Sequence, residues 1–165
     1  MDQPAAVFAT ITFAALAISH LTPARAAEDY CALLSPADFQ AAGVAGARAP
    51  TKNPDQQGAY CVYAGKSSAT GSIEFDVFVT QSVADAQGVY AEVRYSNAPG
   101  PKTKVIPDVD EMEVKKEAGP PAYTSIAVRK GKLVFGIGVP TNAKSQEAVI
   151  SLARLVLQRA DKLAR

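Results

Sequence analysis

The chain has 165 residues, 17 basic against 16 acidic, and a formal net charge of +1. That balance gives no electrostatic footprint for nucleic acid, and nearly half the residues are apolar, enough for one ordinary core. One histidine, two cysteines and no tryptophan leave little of the usual catalytic repertoire.

Val7 to Leu21 carries no charge, and Thr22-Pro23 ends the run. Ala24 and Ala26 then stand where a signal peptidase accepts small side chains. We expect residues 1–26 to be an export signal cleaved after Ala26, leaving residues 27–165 as a single domain. Met1-Asp2-Gln3-Pro4 lacks the positive charge of a usual signal start. A retained anchor is the rival, but the run of about 15 residues is shorter than the roughly 20 that span a bilayer. Cleavage would remove His20, the only histidine. Export would place Cys31 and Cys61 in an oxidising compartment, where a disulfide is the expected state. A redox pair is the alternative, but such pairs are usually Cys-x-x-Cys, and these cysteines are 30 positions apart. No later segment is apolar enough to span a membrane.

Ser35-Pro36-Ala37-Asp38 opens a short helix, with Ser35 as cap, Pro36 in the first turn and Gly43 as stop. Residues 43–58 read as a long loop. Ala59–Ala64 reads as a strand with Cys61 and Tyr63 on one face. Gly71–Thr80 is a clearer strand, in which Ile73, Phe75, Val77 and Val79 alternate with Ser72, Glu74, Asp76 and Phe78. Ser82 starts a helix to about Ser96, with Val83, Ala86, Tyr90 and Val93 as its core stripe. Residues 97–104 form a Pro/Gly loop. Between Val105 and Lys116 we expect at most one short strand, near Glu111–Lys115.

Residues 122–139 form a hairpin around Lys130-Gly131. This register pairs Val128 with Leu133, Ile126 with Phe135, and Thr124 with Ile137. A helix from about Ala143 to Leu163 ends the chain, burying Ala148, Val149, Leu152, Leu155, Val156, Ala160 and Leu163. The fold class is α+β: an antiparallel sheet with helices packed mainly on one face, a long C-terminal helix and one disulfide.

The candidate chemistry is sparse. Glu74 and Asp76 share a strand face about 7 Å apart, the spacing of a carboxylate pair, although solvated side chains are the simpler expectation. Asp108-Val109-Asp110-Glu111-Met112-Glu113 has a faint calcium-loop look, but Met112 and Glu113 replace a ligand and a glycine. Arg129-Lys130-Gly131-Lys132 makes a basic hairpin tip, suited to guarding a sheet edge or touching an anionic surface. The least ordinary feature is the second hairpin face, where Tyr123, Ser125 and Ala127 lie across from Gly138, Gly136 and Val134. Glycine inside a strand loses stability unless something approaches closely. That approach is either a packed helix, Tyr123 itself over Gly138, or a ligand. As a ligand platform the candidate residues are Tyr63, Tyr123, Ser125, Gly136 and Gly138.

Cys31-Ala32-Leu33-Leu34, Cys61-Val62-Tyr63, Ile106-Pro107-Asp108-Val109, the closing hairpin and the Ala/Leu/Arg-rich last helix together resemble a family of small exported proteins, mostly actinobacterial lipoproteins. The resemblance covers most of residues 31–165 and implies a fold and an envelope address, not a reaction. Cys31 departs from it in lacking a lipobox, and Tyr63 stands where the family often has Trp. The expected function is an exported, non-enzymatic binding domain for a small ligand or envelope protein, without metal or cofactor. The alternatives are an inhibitor or regulator of another exported protein, and a histidine-free hydrolase built on carboxylates.

Overall fold

The computed structural model describes residues 29–54, 58–64, 71–93, 105–119 and 121–163. The expected signal at 1–26 and the loop at 97–104 lie outside them. Six strands form one antiparallel sheet: β1 (Thr51–Pro54), β2 (Gly58–Ala64), β3 (Ile73–Val79), β4 (Glu111–Glu117), β5 (Tyr123–Lys130) and β6 (Leu133–Pro140). Their spatial order is β1-β2-β3-β6-β5-β4. The closing hairpin therefore returns to the middle of the sheet, with β6 against β3.

Helical cover lies mainly on one face. A 3₁₀ turn (Tyr30–Leu33), α1 (Pro36–Ala41) and α3 (Ser145–Leu163) pack there. Phe75, Val77, Ile126, Phe135 and Ile137 form the sheet side of that core, against Val149, Leu152 and Val156 of α3. α2 (Val83–Val93) covers the opposite face, where Ala86, Tyr90 and Val93 close over Ala127 and Val134. β5 and β6 are thus buried on both sides, which is why they read as near-continuous apolar runs rather than clean alternation.

The local chemistry of α1 follows its sequence. Ser35 and Asp38 exchange hydrogen bonds as a capping box, Pro36 opens the first turn, and Gly43 adopts φ +82° beyond the end. Cys31 and Cys61 are disulfide-bonded, with Cα atoms 5.8 Å apart. Arg159 of α3 grips both Asp38 carboxylate oxygens, at 2.7 and 2.9 Å, and the Leu33 carbonyl at 2.6 Å. The pair holds the Asp38 carboxyl down, at about 2.

Four expectations are corrected. Residues 43–58 are not all loop, because Thr51–Pro54 pairs with β2 as an edge strand. β4 is longer than the short strand expected at 111–115. Val83, assigned to the core stripe of α2, is exposed; the buried stripe is Ala86, Tyr90 and Val93. The hairpin turns at Gly131-Lys132, not Lys130-Gly131, so Lys130 pairs with Leu133, Val128 with Phe135, and Ile126 with Ile137. Gly131 sits at φ +60°, and a turn with left-handed first central residue wants glycine there. The slip is two residues, so every side chain keeps its expected face.

Candidate functional site

On the outer sheet face, Ser125 stands opposite Gly138, Ala127 opposite Gly136, and Tyr123 opposite Pro140. On the next strand Glu74 faces Gly138 and Asp76 faces Gly136. Four of the five platform residues therefore converge. Tyr63 does not join them. It lies on the other face, 1% exposed, with its hydroxyl 2.7 Å from the carbonyls of both Cys31 and Leu34 and its ring tilted against Phe39. Burial pushes its phenol up, so it stays a neutral donor to those carbonyls.

The space over Gly138 is filled by the chain itself. A Cβ at that position would stand 1.9 Å from the Tyr123 hydroxyl and 2.4 Å from its ring carbon Cζ. The Tyr123 hydroxyl donates to Glu74 Oε2 at 3.2 Å. Burial first, then the Glu74 charge, pushes the Tyr123 phenol up. The same two causes raise Tyr60, on β2, to about 12, with Asp76 adding to them. Ser72, buried beside the Tyr123 hydroxyl, opposes the rise of that phenol. Glu74 and Asp76 are not the solvated pair expected from β3 alone. Asp76 is buried, and Glu74 is half-buried as acceptor to Tyr123. This face is a self-satisfied tyrosine–carboxylate layer over a glycine floor.

The other two clusters are also structural. Arg129 does not belong to an exposed basic tip. Its side chain is 7% exposed and bridges Asp110 at 3.0 Å and Glu111 at 2.5 Å. Asp110 further accepts the Gly131 amide at 2.7 Å, so the acidic cluster holds the hairpin turn. Lys130 reaches Asp161 of α3. Among the described residues no group of three or more His, Cys, Asp or Glu could hold a metal ion.

A further cavity lies elsewhere. A cleft of about 900 Å³ opens between residues 43–49, the end of β2, the start of β3 and the end of β6. Val44, Val62, Ile73 and Pro140 give it apolar walls, and Arg48, Thr51 and Asn142 are its polar side chains. The volume is within the range of small-molecule sites. The Arg48 amide donates to the Tyr63 carbonyl at 2.8 Å, which fixes the backbone of that wall while the side chain stays exposed. No acidic residue is among its described lining residues. Sequence reading missed this cleft because its walls come from segments far apart in the chain. Its one readable signal was the Gly-rich run at 43–49.

No protein-family model, no curated protein and no solved structure matches this chain. No described helix is long and apolar enough to cross a membrane.

Proposed function

We propose that this chain is an exported, non-enzymatic binding domain of the cell envelope, and that its ligand site is the cleft beside residues 43–49. The observation that carries this reading is the cleft itself: about 900 Å³, apolar-walled, with a few polar groups at hand. The disulfide fits an oxidising compartment. A hydrolase built on Glu74 and Asp76 has less in its favour, because neither carboxylate lines the cleft and Glu74 is engaged by Tyr123. The glycine platform has less in its favour as a ligand floor, since Tyr123 occupies the space over Gly138.

The test is a thermal-shift screen of the purified full chain against small soluble metabolites, run in parallel on Ala49→Trp. Ala49 lines the cleft and is exposed, so the indole fills space without disturbing the core. Ligands that raise the melting temperature of the parent but not of Ala49→Trp support the reading. A ligand at 100 times its Kd stabilises by about 2.7 kcal/mol, well within detection. Equal shifts in both proteins would place binding elsewhere.

A further inference from the structure

The chemistry of the cleft narrows its ligand. Four arginines lie among the described residues. Arg129 is held by Asp110 and Glu111, Arg159 by Asp38, and Arg154 donates to the Val105 carbonyl. Arg48 alone of these has neither a carboxylate nor a carbonyl for its guanidinium among the described residues, and it lines the cleft. Lys52, next to the lining residue Thr51, pairs with Asp29. No acidic residue is among the described residues of its walls, so Arg48 sets a positive charge against apolar surface there.

A second polar group has matching sense. Asn142 Oδ1 already accepts the Lys144 amide at 2.8 Å, so its side-chain NH₂ is left to donate. Thr51 adds a hydroxyl. Donors without a fixed acceptor, beside an unpaired guanidinium, select for an anion. A guanidinium presents a fork of N–H groups that matches a planar carboxylate or a sulfonate.

Resting on the cleft being the ligand site, we propose that it binds a small soluble organic monoanion with an apolar body, whose carboxylate or sulfonate is held by Arg48 and whose body lies along Val44, Val62, Ile73 and Pro140. Both halves are required: the charge gives orientation, and the apolar wall excludes plain inorganic anions as strong ligands.

Two fluorescent probes separate the halves: anionic anilinonaphthalene sulfonate and its neutral analogue phenylnaphthylamine. Both are titrated against the full chain, Arg48→Gln, Arg48→Lys and Ala49→Trp, each first shown by circular dichroism to melt as the parent does. The anionic probe is expected to bind the parent more tightly than the neutral one. Arg48→Gln is expected to lose about five- to tenfold for the anionic probe, the range of a partly exposed charge-assisted hydrogen bond, and nothing for the neutral one. Arg48→Lys should recover part of the loss. Ala49→Trp should weaken both. If both probes bind and Arg48→Gln changes neither, the anion assignment is wrong while the cleft stands. If Ala49→Trp changes neither, the cleft reading fails with it. Sedimentation with phosphatidylglycerol vesicles, lost in Arg48→Gln, would place the anion in a bilayer and overturn the soluble ligand.

Discussion

Replacing Gly138 by alanine tests the reason for a glycine in the middle of a buried strand. The new Cβ would stand 1.9, 2.4 and 2.6 Å from the hydroxyl, Cζ and Cε1 of Tyr123. The ring must therefore swing away, and its 3.2 Å hydrogen bond to Glu74 cannot survive the move. Forced repacking of this kind costs about 1–3 kcal/mol, and the lost hydrogen bond adds about 1 kcal/mol. Against this, exchanging glycine for alanine restricts the unfolded chain and returns about 0.4–1 kcal/mol. The net expectation is a loss of about 1–3.5 kcal/mol. In a Tyr123→Ala background the obstacle is gone, and Gly138→Ala should then be neutral or stabilising. Urea unfolding followed by far-ultraviolet circular dichroism measures all four corners of the cycle. Coupling of about 1.5 kcal/mol or more between the two sites supports the reasoning. Equal effects of Gly138→Ala with and without Tyr123 would refute it, and glycine would then serve something other than the tyrosine.

Thiol labelling of the denatured, unreduced exported protein should find no free cysteine; replacing both cysteines by alanine should cost about 3–4 kcal/mol, measured by urea unfolding, for a loop of this length. Tyr63→Phe removes the hydroxyl whose one proton the Cys31 and Leu34 carbonyls share; the same assay should show a loss of about 1–3 kcal/mol, since a buried donor is lost while the Cys31 carbonyl keeps only the Leu34 amide. Asp38 has its carboxyl lowered from 3.8 to about 2, first by the Arg159 hydrogen bond. The folded state therefore holds fewer protons than the unfolded chain in that window, so this stabilisation is full above pH 4 and is lost as pH falls towards 2. Arg159 is 35% exposed, so we discount for solvent and expect about 1–2 kcal/mol of acid-dependent stability, absent in Asp38→Asn when unfolding is followed from pH 5 to pH 2.

Much of the fold is legible in the chain because local signals agree with tertiary ones. The Ser35 capping box, the alternation of β3 and the apolar stripe of α3 each name their own element. β1 is not legible, because Thr51-Lys52-Asn53-Pro54 has no apolar alternation and holds a proline, which only a sheet edge tolerates. The hairpin register was open for a sharper reason. A slip of two residues preserves which face each side chain occupies, so the apolar pattern cannot separate the two turns. The pairing of Lys130 with Leu133 does, and it makes Gly131 the first central residue of the turn. The tyrosine–carboxylate layer needed knowledge that β3 and β6 are neighbours, since that pairing sets Glu74 and Asp76 opposite the two glycines. Strand order is a property of the whole sheet, and no segment encodes it.

The ties that hold the fold are unevenly placed, and their placement bears on the cleft. The disulfide joins the 3₁₀ turn to β2. The Tyr63 hydroxyl closes on the carbonyls that flank that turn. Arg159 draws Leu33 and Asp38 onto α3. The Val44 amide returns to the Phe39 carbonyl, and the Arg48 amide to the Tyr63 carbonyl. These bonds all anchor the segment from residue 31 to residue 48, whose last part, from Gly43, is one wall of the cleft. A loop rich in glycine and alanine would by itself lose much conformational freedom on gripping a ligand. Fixed at both ends and tied to β2, it has most of that freedom removed beforehand, and preorganisation of this kind raises affinity without adding contacts. The dense bonding around Cys31, Tyr63 and Asp38 is therefore what a binding wall made of small residues requires, and it links the structural residues of this face to the ligand site proposed beside them.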